Sequence, residues 1–150
     1  MWSSAFFAFL HFAAVFCIVG TVFYERLAFS RNPSLEEARR LQQCDRWYGA
    51  FAVILLAVGL LRVFYFEKGA TFYFANPFFH LKIGLFVAVG LLSIYPTVKF
   101  IGWGKATRQG MAPTVSAKEF TTIRRLLGLE LLLLLAVALC ASAMARGLTL

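Results

Sequence analysis

Residues 76–96 read NPFFHLKIGLFVAVGLLSIYP, and this stretch decides the fold. From Ile83 to Val98, sixteen residues pass without a charge. A helix crossing a hydrocarbon core of about 30 Å needs about 20 residues at ~1.5 Å rise each. Sixteen are too few, so the span has to begin further back. Asn76-Pro77 offers a cap and a ring suited to the first helical position. The span then takes in His80 and Lys82 near its start, where the bilayer makes an ionisable group costly.

Outward from this stretch, three more apolar segments complete the set, giving spans at about 5–24, 47–66, 78–98 and 126–145. With 61% hydrophobic residues and a mean hydropathy of +0.76, the chain is too apolar for a soluble domain of 150 residues. About half apolar is the usual figure. The lipid bilayer is therefore the solvent. Four segments cannot close a barrel, so helices alone can satisfy the backbone there. The expectation is an all-α fold, a single integral membrane four-helix up-down bundle over 1–150. The net charge of +8 does not indicate nucleic acid, because the cations are spread over short connections between apolar segments. No Lys or Arg precedes the first apolar run, which reads against a cleaved signal peptide. Cys17, Cys44 and Cys140 have neither metal-ligand spacing nor an even-numbered disulfide framework.

Between the spans, SRNPSLEEARRLQQCDR (30–46) predicts a short surface helix capped by Ser34, with Glu37 three residues on. WGKATRQGMAPTVSAKEF (103–120) reads as a flexible loop. The first and third connections carry Arg26, Arg31, Arg39, Arg40, Arg46, Lys99, Lys105, Arg108, Lys118, Arg124 and Arg125. The opposite side has only Arg62, Lys68, Lys82 and Arg146. The positive-inside rule then puts the N-terminus and C-terminus on the outer side of a cytoplasmic (inner) membrane.

Spanning the bilayer forces Arg62, Lys82 and Glu130 about one turn inside the apolar region. For Glu130, a buried structural pair with Arg26 or Lys99 is expected. Toward the outer face stand His11, Arg62, Glu67, Lys68, His80 and Lys82. On the first helix, His11, Ala14, Ile18 and Val22 form a stripe at helical spacing, and on the third His80, Gly84, Val87, Leu91 and Tyr95 form another. Gly84 and Ala88 make a small-residue edge of the kind that lets helices approach closely. Two imidazoles at similar depth on facing helices could serve as axial ligands of haem b. His80 and Lys82 point about 200° apart on a helix, so only one of them faces the bundle centre.

The stretches AFLHFAAVF, GLLRVFYFEKG, NPFFHLKIGLF and GLLSIYPTVKF resemble a family of bacterial four-span membrane proteins known as a domain of unknown function. More distantly, FLHFAAVF and FFHLKIGLF resemble HemJ-type protoporphyrinogen oxidases and CopD-like membrane domains. The HemJ likeness implies haem b, with His11 at the family's first-helix histidine and Lys82 at its third-helix lysine.

These readings converge on a haem b-binding membrane protein with an electron-transfer or porphyrinogen-oxidase-like role. His11 and His80 are the expected metal ligands, with Lys82 competing for the second place, and Arg62 and Lys82 would pair with the propionates. Neutral imidazole suits haem iron better than a lysine that must first lose its proton. Two other readings stand beside it. One is a small-solute or ion-handling protein whose His11, Arg62 and Lys82 line an outward pocket for an anion. The other is an accessory subunit without haem. Partners in any reading are the bilayer and a redox partner or a second copy of the chain.

Overall fold

The computed structural model describes residues 2–66, 74 and 76–146, and among them every regular element is helical. The four long helices are α1 (Trp2–Ala28), α2 (Leu35–Leu61), α3 (Pro77–Gly102) and α5 (Ala117–Ala145); a short α4 (Gly104–Arg108) follows α3. Each long helix is apolar and long enough to cross a membrane. At 27 residues, α1 and α2 each reach about 40 Å, so their ends stand beyond the ~30 Å hydrocarbon core. The lipid-facing surface is correspondingly apolar, with Phe9, Phe16, Leu132, Leu135 and Leu139 all exposed.

Every long helix starts before the span expected for it. The segment 30–46 is not a separate surface helix: its start is the start of α2, and the chain continues unbroken into the membrane. The expected cap is correct. The Ser34 hydroxyl accepts from the Glu37 amide at 3.2 Å, and the Glu37 carboxylate accepts from the Ser34 amide at 2.7 Å. An identical box, Ser116 with Glu119, starts α5 inside the segment expected to be a loop. The same segment carries α4 and a turn at Gly110, whose φ of +75° suits a residue without a side chain. Asn76 caps α3 as expected, accepting from the Phe78 amide at 2.9 Å, with Pro77 directly after it.

Helices α1 and α2 form one closely packed pair and α3 and α5 another, joined chiefly through α1 against α5. The α2–α3 seam is thinly packed by comparison. The core runs along α1 through Ala14, Ile18 and Val22, as the stripe predicts, and meets Leu41, Tyr48, Leu55, Val89, Ile123, Leu127 and Leu134. At the end carrying the short connections (the loop end), Phe29 is almost fully buried. It packs on Phe100, Trp103 and Phe120, with ring centroids 5.9, 6.2 and 5.5 Å away. The first and last described residues, Trp2 and Arg146, lie at the opposite end, here the termini end.

On α3 the buried positions are Phe79, Val89, Pro96 and Phe100. The stripe His80, Gly84, Val87, Leu91 and Tyr95, expected to face the bundle, is the outward face instead. A helix in lipid can be apolar on every side, so periodicity alone could not identify its inner face. Gly84 likewise makes no close helix approach: a Cβ built there meets nothing within 4 Å.

Candidate functional site

At the termini end, the thin α2–α3 seam opens into a cavity of about 420 Å³, within the usual range for small-molecule sites. Its apolar walls come from Val15 of α1, Leu55 and Leu56 of α2, Ile83 and Phe86 of α3, and Val137 and Ala141 of α5. Three groups that can carry positive charge line it: His11 from α1, Arg62 from the end of α2 and Lys82 from α3.

Local structure explains how each arrives. His11 lies one turn before Ala14 on the buried stripe of α1 and faces Gly59. A Cβ on Gly59 would stand 3.5 Å from His11 Cε1, so glycine leaves the room between ring and helix to the cavity. Arg62 begins a π-helical turn, Arg62–Phe66, that follows α2 without a break. Such turns shift the side-chain register locally and recur at functional sites. The Arg62 guanidinium carbon lies 5.9 Å from the centre of the Phe12 ring, and Lys82 Nζ lies 5.5 Å from the centre of the Phe79 ring. Aromatic faces thus help to hold both cations at the cavity wall.

His80 is placed differently. It is exposed, lies outside the cavity lining, and its Nε2 donates to the Phe74 carbonyl at 2.9 Å. Of the two candidates two residues apart on α3, Lys82 is the one that faces the cavity. The structure therefore brings together His11, Arg62 and Lys82 and leaves His80 aside, so the residues do not fit a haem ligated by both histidines. Glu67 and Lys68 lie outside the described residues.

Sequence reasoning missed Gly59 and the contribution of Met144 and Ala145 at the end of α5, which also line the cavity. Gly59 carried a faint signal, being the glycine three residues before the intramembrane Arg62.

A second, smaller cavity of about 200 Å³ lies deeper in the same seam. Leu56 and Phe86 line both, and Tyr48, Ile18 and Gly90 line only the deeper one. Beyond it the seam is closed by polar clasps between α2 and the α3–α4 region. Thr97 Oγ1 donates to Asp45 Oδ1 at 2.6 Å, Gln42 Nε2 to the Phe100 carbonyl at 2.6 Å, and Arg39 Nη2 to the Thr107 carbonyl at 2.9 Å.

Glu130 is buried, but it pairs with neither expected partner. Arg26 crosses to α5 and donates to the Arg124 carbonyl, its guanidinium lying where a Cβ of Gly128 would be. Lys99 pairs with Glu119. Both cations sit near the interface, where a carbonyl or a partly exposed carboxylate satisfies them more easily than a group at full burial.

Among the described residues, no group of three or more His, Cys, Asp or Glu is arranged to hold a metal ion. No curated protein and no solved structure matches the chain. A family model does match, over residues 3–149, and it is that of a predicted membrane protein family. Matched over nearly its whole length, and built of four apolar helices long enough to span the bilayer, this chain belongs to the predicted membrane protein family DUF2214.

Proposed function

We propose that this chain binds an anionic amphiphile, a molecule with a carboxylate or phosphate head and an apolar body, in the termini-end cavity. The observation that carries this reading is the convergence of His11, Arg62 and Lys82 on one apolar cavity between helices. Arg62 offers a planar fork suited to carboxylate or phosphate, and Lys82 a compact charge on a flexible stem. Hydrocarbon walls accept the tail. Of the functions weighed from sequence, this corresponds to solute handling in the cytoplasmic membrane, with the termini and the cavity on its outer side. The redox reading survives in one narrower form, a haem b ligated by His11 alone with its propionates on Arg62 and Lys82. His11 supports it as the histidine that lines the cavity.

The test uses the full chain in nanodiscs of zwitterionic lipid, with dodecyl phosphate and dodecanoate as probes and calorimetry as readout. Wild-type protein should bind a probe saturably. Gly59→Leu, which fills the space beside His11, should abolish binding while the protein stays folded. No saturable binding by the wild type, or undiminished binding by Gly59→Leu, would overturn the proposal. An absorption spectrum of protein from haem-supplied cells decides the narrower form: a Soret band lost in His11→Ala supports it, and a colourless wild-type protein removes it.

A further inference from the structure

Three carboxylic acids from three helices are buried together toward the loop end: Glu25 of α1, Asp45 of α2 and Glu130 of α5, exposed to 2%, 6% and 1%. Glu25 interacts electrostatically with both of the others, and Glu130 with Asp45. Among the described residues none of the three forms an ion pair. The nearby cations are engaged elsewhere, Arg26 with the Arg124 carbonyl and Lys99 with Glu119. The remaining neighbours supply little. The Cys44 thiol is hydrogen-bonded to Glu25 and lies 3.6 Å from the Thr21 carbonyl, Thr97 donates to Asp45, and Tyr48, whose hydroxyl is hydrogen-bonded with Ser93, interacts electrostatically with all three acids. Asp45 is thereby satisfied. Glu25 and Glu130 are not: each has one fully buried carboxyl oxygen, Oε1, with no hydrogen-bond partner.

Several negative charges in a low-dielectric interior with no cation between them are not sustainable, because desolvation and mutual repulsion act in the same direction. Something must supply positive charge. Among the described residues these acids do not form a metal-holding group. A proton needs no coordination shell, and on a carboxyl it turns an acceptor into a donor, which gives an orphaned oxygen a bond to make.

We propose that Glu25, Asp45 and Glu130 form an exchangeable proton-binding site inside the bundle. Tyr48 connects this site to the α2–α3 seam, because the same side chain lines the deeper cavity. The site stands on its own geometry, whether or not the termini-end cavity takes an anion.

Infrared spectroscopy of the full chain in nanodiscs tests this, because a protonated carboxyl shows a carbonyl-stretch band that a carboxylate lacks. The chain has seven acids. Of the four outside the cluster, Glu119 is held below the ordinary carboxylate range by its hydrogen bond with Lys99, and the glutamine variants separate the cluster from the rest. The expected result is a protonated-carboxyl band at neutral pH that shifts in heavy water and fades on alkaline titration. It should weaken in Glu25→Gln and in Glu130→Gln and be lost in the double variant. Absence of the band from the wild type would overturn the proposal. So would a band that neither exchanges nor titrates, which would mark permanently protonated structural groups, or a band at full strength in the folded double variant. Should the double variant fail to fold, the wild-type exchange and titration decide alone.

Discussion

The two ends of this bundle are built on opposite plans. At the termini end the seam between α2 and α3 gapes, and the groups lining it can carry positive charge: His11, Arg62 and Lys82. At the loop end the same seam is clasped by Asp45–Thr97 and Gln42–Phe100, plugged by Phe29 and its aromatic neighbours, and the groups sealed inside are acids. A four-helix bundle needs only one firm end to fix its topology. Here the loop end supplies it, which leaves the other end free to keep a cavity.

The largest expected effect breaks the firm end. Phe29 lies outside the hydrocarbon span, where aromatic burial still gains from leaving water, and it centres the cluster with Phe100, Trp103 and Phe120. Phe29→Ala should lower stability by about 3–5 kcal/mol, the usual cost of truncating a buried phenylalanine. Unfolding of the purified protein in a denaturing detergent would measure it. Truncating Phe12, which is 56% exposed at the other end, should cost far less. Equal losses would mean that the two ends are not different in kind.

Next comes the open end. Charge-assisted hydrogen bonds contribute about 1.5–3 kcal/mol each, and about 1.4 kcal/mol is tenfold in affinity. Arg62→Gln and Lys82→Gln should therefore each weaken dodecyl phosphate binding by roughly tenfold or more. His80→Ala should leave it unchanged, because His80 is engaged with Phe74 on the exposed side. Calorimetry on the three variants separates the cavity lining from the rest of the termini-end charge. A loss in His80→Ala matching that in Lys82→Gln would reverse the assignment of the inward side of α3.

The contrast between ends also explains what could be read from the chain. Apolar segment length and the distribution of Lys and Arg made the four-helix membrane fold legible, because bilayer thickness constrains length directly. Caps were legible at Ser34 and Asn76, since a cap is a local bond between neighbours in sequence. The inward face of α3 was not, because the positions at Gly84, Val87 and Leu91 are as apolar as Val89, which is buried. His11 fell on a correctly read stripe only because α1 has small or branched residues inward and phenylalanines outward. At the loop end, Glu130 stood out as an acid inside an apolar run, whereas Asp45 was hidden by the polar residues around it. The buried series Ala38, Leu41, Asp45 and Tyr48, at helical spacing, is the signal that would have carried α2 through that segment.

A smaller effect tests the clasp. Thr97→Val removes the hydroxyl that donates to Asp45 and leaves a buried carboxyl without it. The expected loss is about 1–3 kcal/mol. Asp45→Asn keeps an acceptor for the same hydroxyl and should lose less. If the clasp is what holds the seam shut, Thr97→Val should also speed hydrogen exchange in the loop-end turns of α2 and α3 while leaving the termini-end turns as they were.

The smallest effect asks whether a cap at one end does more than a cap at the other. Ser116→Ala removes the hydroxyl that receives the Glu119 amide, and Asn76→Ala removes the side chain that receives the Phe78 amide. Each should cost about 1 kcal/mol of stability, the usual value of a lost N-cap. Their consequences for the cavity should differ. Ser116 starts α5 at the loop end, remote from the cavity, so probe affinity should not change. Asn76 starts α3 directly ahead of Phe79 and Lys82, which line the cavity, and the first turn it anchors sets their direction. Asn76→Ala should therefore weaken dodecyl phosphate binding by a few-fold at a stability cost equal to that of Ser116→Ala. Equal stability losses with equal affinity would mean that Lys82 keeps its place without the cap, leaving the Phe79 ring and the cavity wall to hold it.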